Sequence, residues 1–309
     1  MTIFLYITSN NQLTRLVYQV LSRSGKCIPE KGWVFDNGTV VKIKRNGDGS
    51  ITVEMIHPIA VSDAVRFVSL KDFNDAFKGK VVFNIPLNSV VFLIRHGHAG
   101  HNERTASIEE AHDAHLTEKG IEQAVKAGQA IRADPDVASG EHELFIYCSD
   151  LLRTMQTAKN VSDQLPEEIQ PKFVTVLIQA REYSRPIGGE HYWEDGDLCI
   201  QIAMDPFLPI EELRVLASGK TDDEIWRMVI ENLPKNDPIR NWAECIKEID
   251  GFQIDWTRYI DVLTKGTAEE KTFGQIASET SFLDVIIENA MKCERLSTSA
   301  RLLETESDD

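Results

Sequence analysis

Val90-Val91-Phe92-Leu93-Ile94-Arg95-His96-Gly97-His98-Ala99-Gly100-His101-Asn102 is the stretch on which the reading of this chain turns. Its first five residues form an unbroken apolar run, the pattern of a strand buried on both faces of a parallel sheet. The run ends in a cation, three imidazoles and two glycines. In open α/β sheets, ligands bind beyond the carboxyl ends of the strands, so Arg95 and His96 stand where a ligand would sit. An imidazole can attack phosphorus, and a guanidinium offers a planar fork to the non-bridging oxygens. Gly97 lets the backbone come close to a neighbour or a ligand. The stretch therefore predicts phosphoryl chemistry at a sheet edge.

Downstream, the pattern alternates between short apolar runs and helical periodicity. A helix is expected from about Ile121 to Arg132, a strand at Leu144–Cys148, a helix over Leu151–Leu165 and a strand at Val174–Ile178. Such alternation predicts an α/β fold, three layers deep (α/β/α), with a mostly parallel sheet. Residues 186–265 are rich in Trp, Pro and acid with weaker periodicity and read as a cap insertion, and Ala268–Met291 returns to a turn followed by a helix. The stretch 296–309 ends in an acidic run and reads as a disordered tail.

Upstream, Thr2–Ile7 alternates like a strand and Gln12–Leu21 has helical spacing. Val40–Lys44 and Ile51–Met55 flank Asn46-Gly47-Asp48-Gly49, whose glycines suit a tight hairpin. Leu70–Phe77 reads as a short helix stopped at Gly79. Residues 1–90 carry 11 Lys and Arg against 7 Asp and Glu, and the rest of the chain 22 against 42. That asymmetry predicts a boundary: residues 1–88 as a small α+β module for packing or docking, and 89–295 as the chemical domain.

The 309 residues carry a net charge of −16, which argues against a partner held through a nucleic-acid backbone. A small phosphorylated substrate needs only a few cations in one pocket. Five scattered cysteines without a CxxC pair argue for reduced thiols rather than a disulfide framework or a sulfur-based zinc site. No run is long enough for a signal peptide or membrane span. The expectation is a cytoplasmic protein that associates with neither membrane nor nucleic acid; the oligomeric state is left open.

The RHG triplet, with Asn102 five residues beyond Gly97, resembles the signature of the histidine phosphatase superfamily, the phosphoglycerate-mutase-like fold. Three further stretches follow in that family's order. Leu116-Thr117-Glu118-Lys119-Gly120-Ile121-Glu122-Gln123-Ala124 resembles its LTxxGxxQA helix start. Ser149 to Ala158, which includes Arg153-Thr154-Met155-Gln156-Thr157, resembles its SxLxRxxQTA segment. Arg181-Glu182 resembles the place of its acid/base carboxylate. The resemblance spans roughly residues 89–292. It implies a phosphomonoesterase that works through a phosphohistidine at His96. Arg95 and Arg153 would grip the phosphoryl oxygens, Asn102 would order the loop, and Glu182 would protonate the leaving oxygen and then activate water. No cofactor and no metal are implied.

One departure stands out. The family carries a second catalytic histidine in a late strand-to-helix turn, and the matching stretch reads Ser278-Glu279-Thr280, so Glu279 takes the place of that histidine. A carboxylate about 4 Å from a phosphate charge is repulsive by roughly 4 kcal/mol at an effective dielectric near 20. Three outcomes are open: Glu279 is protonated or turned away, His191, in Gly188-Gly189-Glu190-His191, supplies an imidazole from the cap, or the domain has lost turnover and binds a phospho-ligand or a protein instead. A metal hydrolase is a weaker alternative, suggested by His96, His98, His101, His112 and His115. It leaves Arg153 and its helix unexplained and finds too few later imidazoles. Gly219-Lys220-Thr221 lacks the first glycine of a P-loop, since residue 214 is Arg.

Overall fold

The computed structural model describes residues 1–29, 32–57, 67–102, 115–138, 142–149, 151–169, 173–180, 253–255 and 282–293. Among them a seven-stranded sheet is built from β1 (Thr2–Thr8), β2 (Val40–Arg45), β3 (Ile51–His57), β4 (Ser89–Arg95), β5 (Glu143–Cys148), β6 (Phe173–Val176) and β7 (Gln253–Asp255). The spatial order is β3-β2-β4-β1-β5-β6-β7. All pairings from β4 to β7 are parallel, and β2 runs antiparallel to both β3 and β4.

The helices are α1 (Asn10–Arg23), α2 (Leu70–Phe77), α3 (Glu118–Arg132), the single turn α4 (Pro135–Ala138), α5 (Leu152–Ser162) and α6, over 282–293. Successive strand residues point to opposite faces, and each face has its own core. Ile3, Leu5, Ile7, Phe92 and Ile146 meet Ala127 and Ile131 of α3 and Met155 and Val161 of α5. Phe4, Tyr6, Val91 and Leu93 meet Leu13 and Leu16 of α1, Phe73 of α2 and Leu283 and Ile286 of α6. The result is a three-layer α/β/α fold with a mostly parallel sheet.

The division expected at residue 88 is not a break in this architecture. β1 is inserted between β4 and β5, in register from Thr2 opposite Ser89 to Thr8 opposite Arg95. The physical reason lies in the strand itself: Ile3-Phe4-Leu5-Tyr6-Ile7 is apolar throughout and buried on both sides, so only the middle of a covered sheet can house it. The hairpin β2–β3 then extends the same sheet beyond β4. The stretch read as a cap likewise contributes a strand, β7. Its three residues are too few to leave a periodic signal. The remainder of that stretch and the tail lie outside the described residues. No helix among the described residues is long and apolar enough to cross a membrane.

Candidate active site

His96 follows the last residue of β4 and is 1% exposed. Its ring Nδ1 lies 2.7 Å from the carbonyl oxygen of Gly97. A carbonyl only accepts, so Nδ1 carries the proton. Nε2 then holds the lone pair, and it accepts a hydrogen bond from Nε of Arg153 at 3.3 Å. Arg153 stands in the first turn of α5 and is itself 1% exposed, although an arginine is almost never fully buried without partners. The α5 start is held by Ser149, whose hydroxyl accepts from the Leu151 N–H and meets the Thr154 hydroxyl at 2.9 Å. An imidazole whose lone pair faces a buried guanidinium is what attack on a phosphoryl group requires.

The backbone at Gly97 is pressed against α3. A Cβ on Gly97 would lie 2.3 Å from the Gly120 carbonyl oxygen, and one on Gly120 would lie 1.9 Å from the His98 carbonyl oxygen. Glycine at both positions lets two backbones touch, which explains the glycine of RHG and the glycine of LTxxG together. Around this contact the motif side chains bind backbone. Thr117 caps α3, and its hydroxyl also donates to the His98 carbonyl and meets the His98 Nδ1. Gln123 Oε1 accepts the His98 N–H at 2.9 Å. Thr157 accepts the Gly97 N–H at 3.0 Å and donates to the Arg153 carbonyl at 2.7 Å, joining the His96 loop to the Arg153 helix. Gln156 accepts from the Leu116 N–H at 2.8 Å and donates to the His115 Nδ1 at 3.0 Å. Asn102 accepts from the Ala99 N–H through its side chain and donates to the Ala99 carbonyl through its backbone, closing the loop on itself.

The first forty residues are part of this scaffold. The His96 N–H donates to the Thr8 carbonyl at 2.9 Å, and Asn37 Nδ2 donates to the His96 carbonyl at 3.0 Å. One guanidinium nitrogen of Arg95 donates to the Phe35 carbonyl, while the Gly38 N–H returns to the Arg95 carbonyl. Gly38 has φ +77° and leans on Gln123, a turn that only glycine makes without strain. Thr8 pairs with Arg95 at the end of β1, and Ser9 follows it as the cap at the amino end of α1. The strand-to-helix turn that adjoins His96 on the sheet is thus Thr8-Ser9-Asn10, ahead of His96 in the chain. The Ser9 hydroxyl accepts from the Gln12 N–H as the helix cap, and the Asn10 side chain accepts from the Phe35 N–H.

Of the residues singled out in the sequence, His96 and Arg153 come together, Arg95 is anchored on the Phe35 turn, and Asn102 closes its loop. Glu182, His191 and Glu279 lie outside the described residues, as do His112 and the ring of His101. Among the described residues no group of three or more His, Cys, Asp or Glu side chains is placed to hold a metal ion. The positioning parts played by Gln123, Thr157, Asn37 and the Ser9 turn were not foreseen. The first two sit at motif positions. The last two carry no local signal that links them to His96.

No curated protein and no solved structure matches the chain. A family model does, from Val91 in β4 to Phe173 at the start of β6, the segment that contains His96, Gly97, Gly120, Gln123, Arg153 and Thr157. Over residues 91–173 the chain is a match to the histidine phosphatase superfamily, branch 1.

Proposed function

We propose that the protein is a phosphomonoesterase of the histidine phosphatase type, for which the superfamily match supports a phosphatase-like function in general. The observation that carries the reading is the His96–Arg153 pair, with Nδ1 protonated and Nε2 facing the guanidinium. In this reaction the Nε2 lone pair forms a bond to phosphorus while the bond from phosphorus to the leaving oxygen breaks. The guanidinium moves from Nε2 onto the phosphoryl oxygens, where charge gathers as the group transfers. The leaving oxygen takes a proton from a neighbouring acid, a role for which Glu182 is the candidate. In the second half, water attacks phosphorus, its proton goes to that same carboxylate, the bond to Nε2 breaks and inorganic phosphate departs. The substrate is a phosphorylated small molecule or protein.

A second reading is a phosphatase-like domain that binds a phospho-ligand or a protein without turning it over. It is favoured by the turn beside His96, which offers the Ser9 hydroxyl and the Asn10 amide rather than an imidazole. One experiment separates the two: hydrolysis of a generic aryl phosphate by the wild type and His96→Ala, with protein quenched in alkaline detergent and assayed for phosphohistidine. The first reading expects slow wild-type turnover and an acid-labile phosphoenzyme, both lost in His96→Ala. Turnover that survives His96→Ala would overturn it. No turnover and no phosphoenzyme, with phosphate still bound, would favour the second.

A further inference from the structure

Glycine at position 97 creates a difficulty as well as a contact. The imidazole of His96 is held in one tautomer by the Gly97 carbonyl, and a glycine gives its following peptide plane little intrinsic orientation. Something else must fix the Gly97–His98 peptide. Its N–H end donates to Gln123 Oε1 at 2.9 Å, from one turn inside α3. Gln123, the Gly97–His98 peptide and the His96 ring therefore form one chain of hydrogen bonds, each donor pointing the same way. Such chains polarise one another, and which nitrogen of a histidine is free is set by the bond that the other one makes.

We propose that Gln123 is a positioning residue for phosphoryl transfer: by holding the His98 N–H it aims the Gly97 carbonyl at Nδ1 of His96 and so, with Arg153 donating at the other nitrogen, keeps the proton on Nδ1 and the lone pair on Nε2. This deepens the phosphatase reading and rests on it for its functional meaning, whereas the tautomer itself does not depend on turnover. Thr117 grips the other end of residue 98, at its carbonyl, and Thr157 holds the Gly97 N–H. Neither contacts the peptide that bears the critical carbonyl, so neither substitutes for Gln123.

The test uses the full chain with nitrogen-labelled histidine, the His96 signals being assigned by their loss in His96→Ala. Two-bond nitrogen–proton correlations report the tautomer. The wild type is expected to show Nδ1–H alone. Gln123→Leu, similar in size but unable to accept, is expected to populate Nε2–H and to lower kcat about fivefold to tenfold with little change in KM, the scale of one lost hydrogen bond. Gln123→Glu, a stronger acceptor, is expected to keep Nδ1–H and to move the His98 amide proton and the His96 Nδ1 proton downfield together. An unchanged His96 tautomer in Gln123→Leu overturns the proposal. Should that variant fail to fold, a downfield His98 amide in Gln123→Glu without any movement of the His96 Nδ1 proton overturns it equally. An unaltered tautomer counts against Gln123 whether or not the wild type turns over, and an inactive wild type with a shifted tautomer counts only against the phosphatase reading.

Discussion

A methyl group is the smallest side chain that can be added to Gly97, and it already collides with backbone rather than with a flexible side chain. Relief would require β4 and α3 to part, which would pull the His98 N–H from Gln123 and the Gly97 N–H from Thr157. Gly97→Ala is expected to cost about 1–3 kcal/mol or more, the range for overpacking a tight site, and to remove any phosphoenzyme; urea unfolding and labelling quenched in alkaline detergent check the two effects. Ser9 invites the opposite experiment. It is buried and follows Thr8, the residue that pairs with Arg95 and whose carbonyl holds the His96 N–H, so a histidine there is the variant that asks whether this turn faces the phosphoryl group. Ser9→His gives up a helix cap worth about 1 kcal/mol. In exchange it places a charge-assisted donor of roughly 1.5–3 kcal/mol against the transferring oxygens, so aryl phosphate hydrolysis is expected to rise about tenfold to hundredfold. No gain from a folded Ser9→His protein would show that this turn does not face the reacting group.

At the scale of elements, the strands are locked to the helices by charge as well as by apolar packing. Lys42 of β2 is buried and reaches Asp134, between α3 and α4, at 2.8 Å and Asp136, in α4, at 2.7 Å, while Lys44 also pairs with Asp136. Burial opposes the charge on Lys42, but the hydrogen bonds and charges of the two carboxylates more than offset it, so its pKa lies above the usual lysine value. For Asp136, burial pushes upward and the bonds from Lys42 and Lys44 outweigh it, leaving the pKa below the ordinary range. The signs then fix two pH windows. The Asp136 contribution is present above an unfolded carboxylate value of about 3.9 and is lost as pH falls through its lower folded value. The Lys42 contribution is present below about 10.4 and is lost as pH rises through its higher folded value. Urea midpoints are expected to drop at both extremes, and the acid drop should shrink in Asp136→Asn. Lys42→Ala takes the cation from buried Asp134 and leaves Asp136 to Lys44, and is expected to destabilise by about 3–5 kcal/mol near neutral pH; a loss under 1 kcal/mol would mean that water already reaches the site.

For the whole molecule, what the sequence made legible and what it hid follow from the range of the forces involved. The apolar run of β4, the hairpin glycines and the capped start of α3 are local signals, and Thr117, Gln123 and Thr157 bind the backbone around His96, so motif and structure coincide. Parallel pairing is not local. Nothing within residues 2–8 names β4 and β5 as neighbours, and the charge shift near residue 90 suggested a boundary where the sheet is continuous. The unbroken Ile3–Ile7 run was the available clue, since an edge module has no place for a strand buried on both faces. This has a consequence for any attempt to isolate the chemical domain. Removing residues 1–88 takes β1 from between β4 and β5, together with the Thr8 carbonyl and the Asn37 amide that hold His96. The cut would expose the inner edges of two parallel strands, which present unpaired backbone groups and invite aggregation. The fragment 89–309 is therefore expected to show no cooperative thermal transition and no phosphate binding. Supplying residues 1–88 as a separate chain should restore both if the fold is one body, because the missing strand then has its two partners waiting. A fragment 89–309 that melts cooperatively by itself would mean that β4 and β5 can pair directly, and that the first 88 residues are an addition to the site rather than part of its frame.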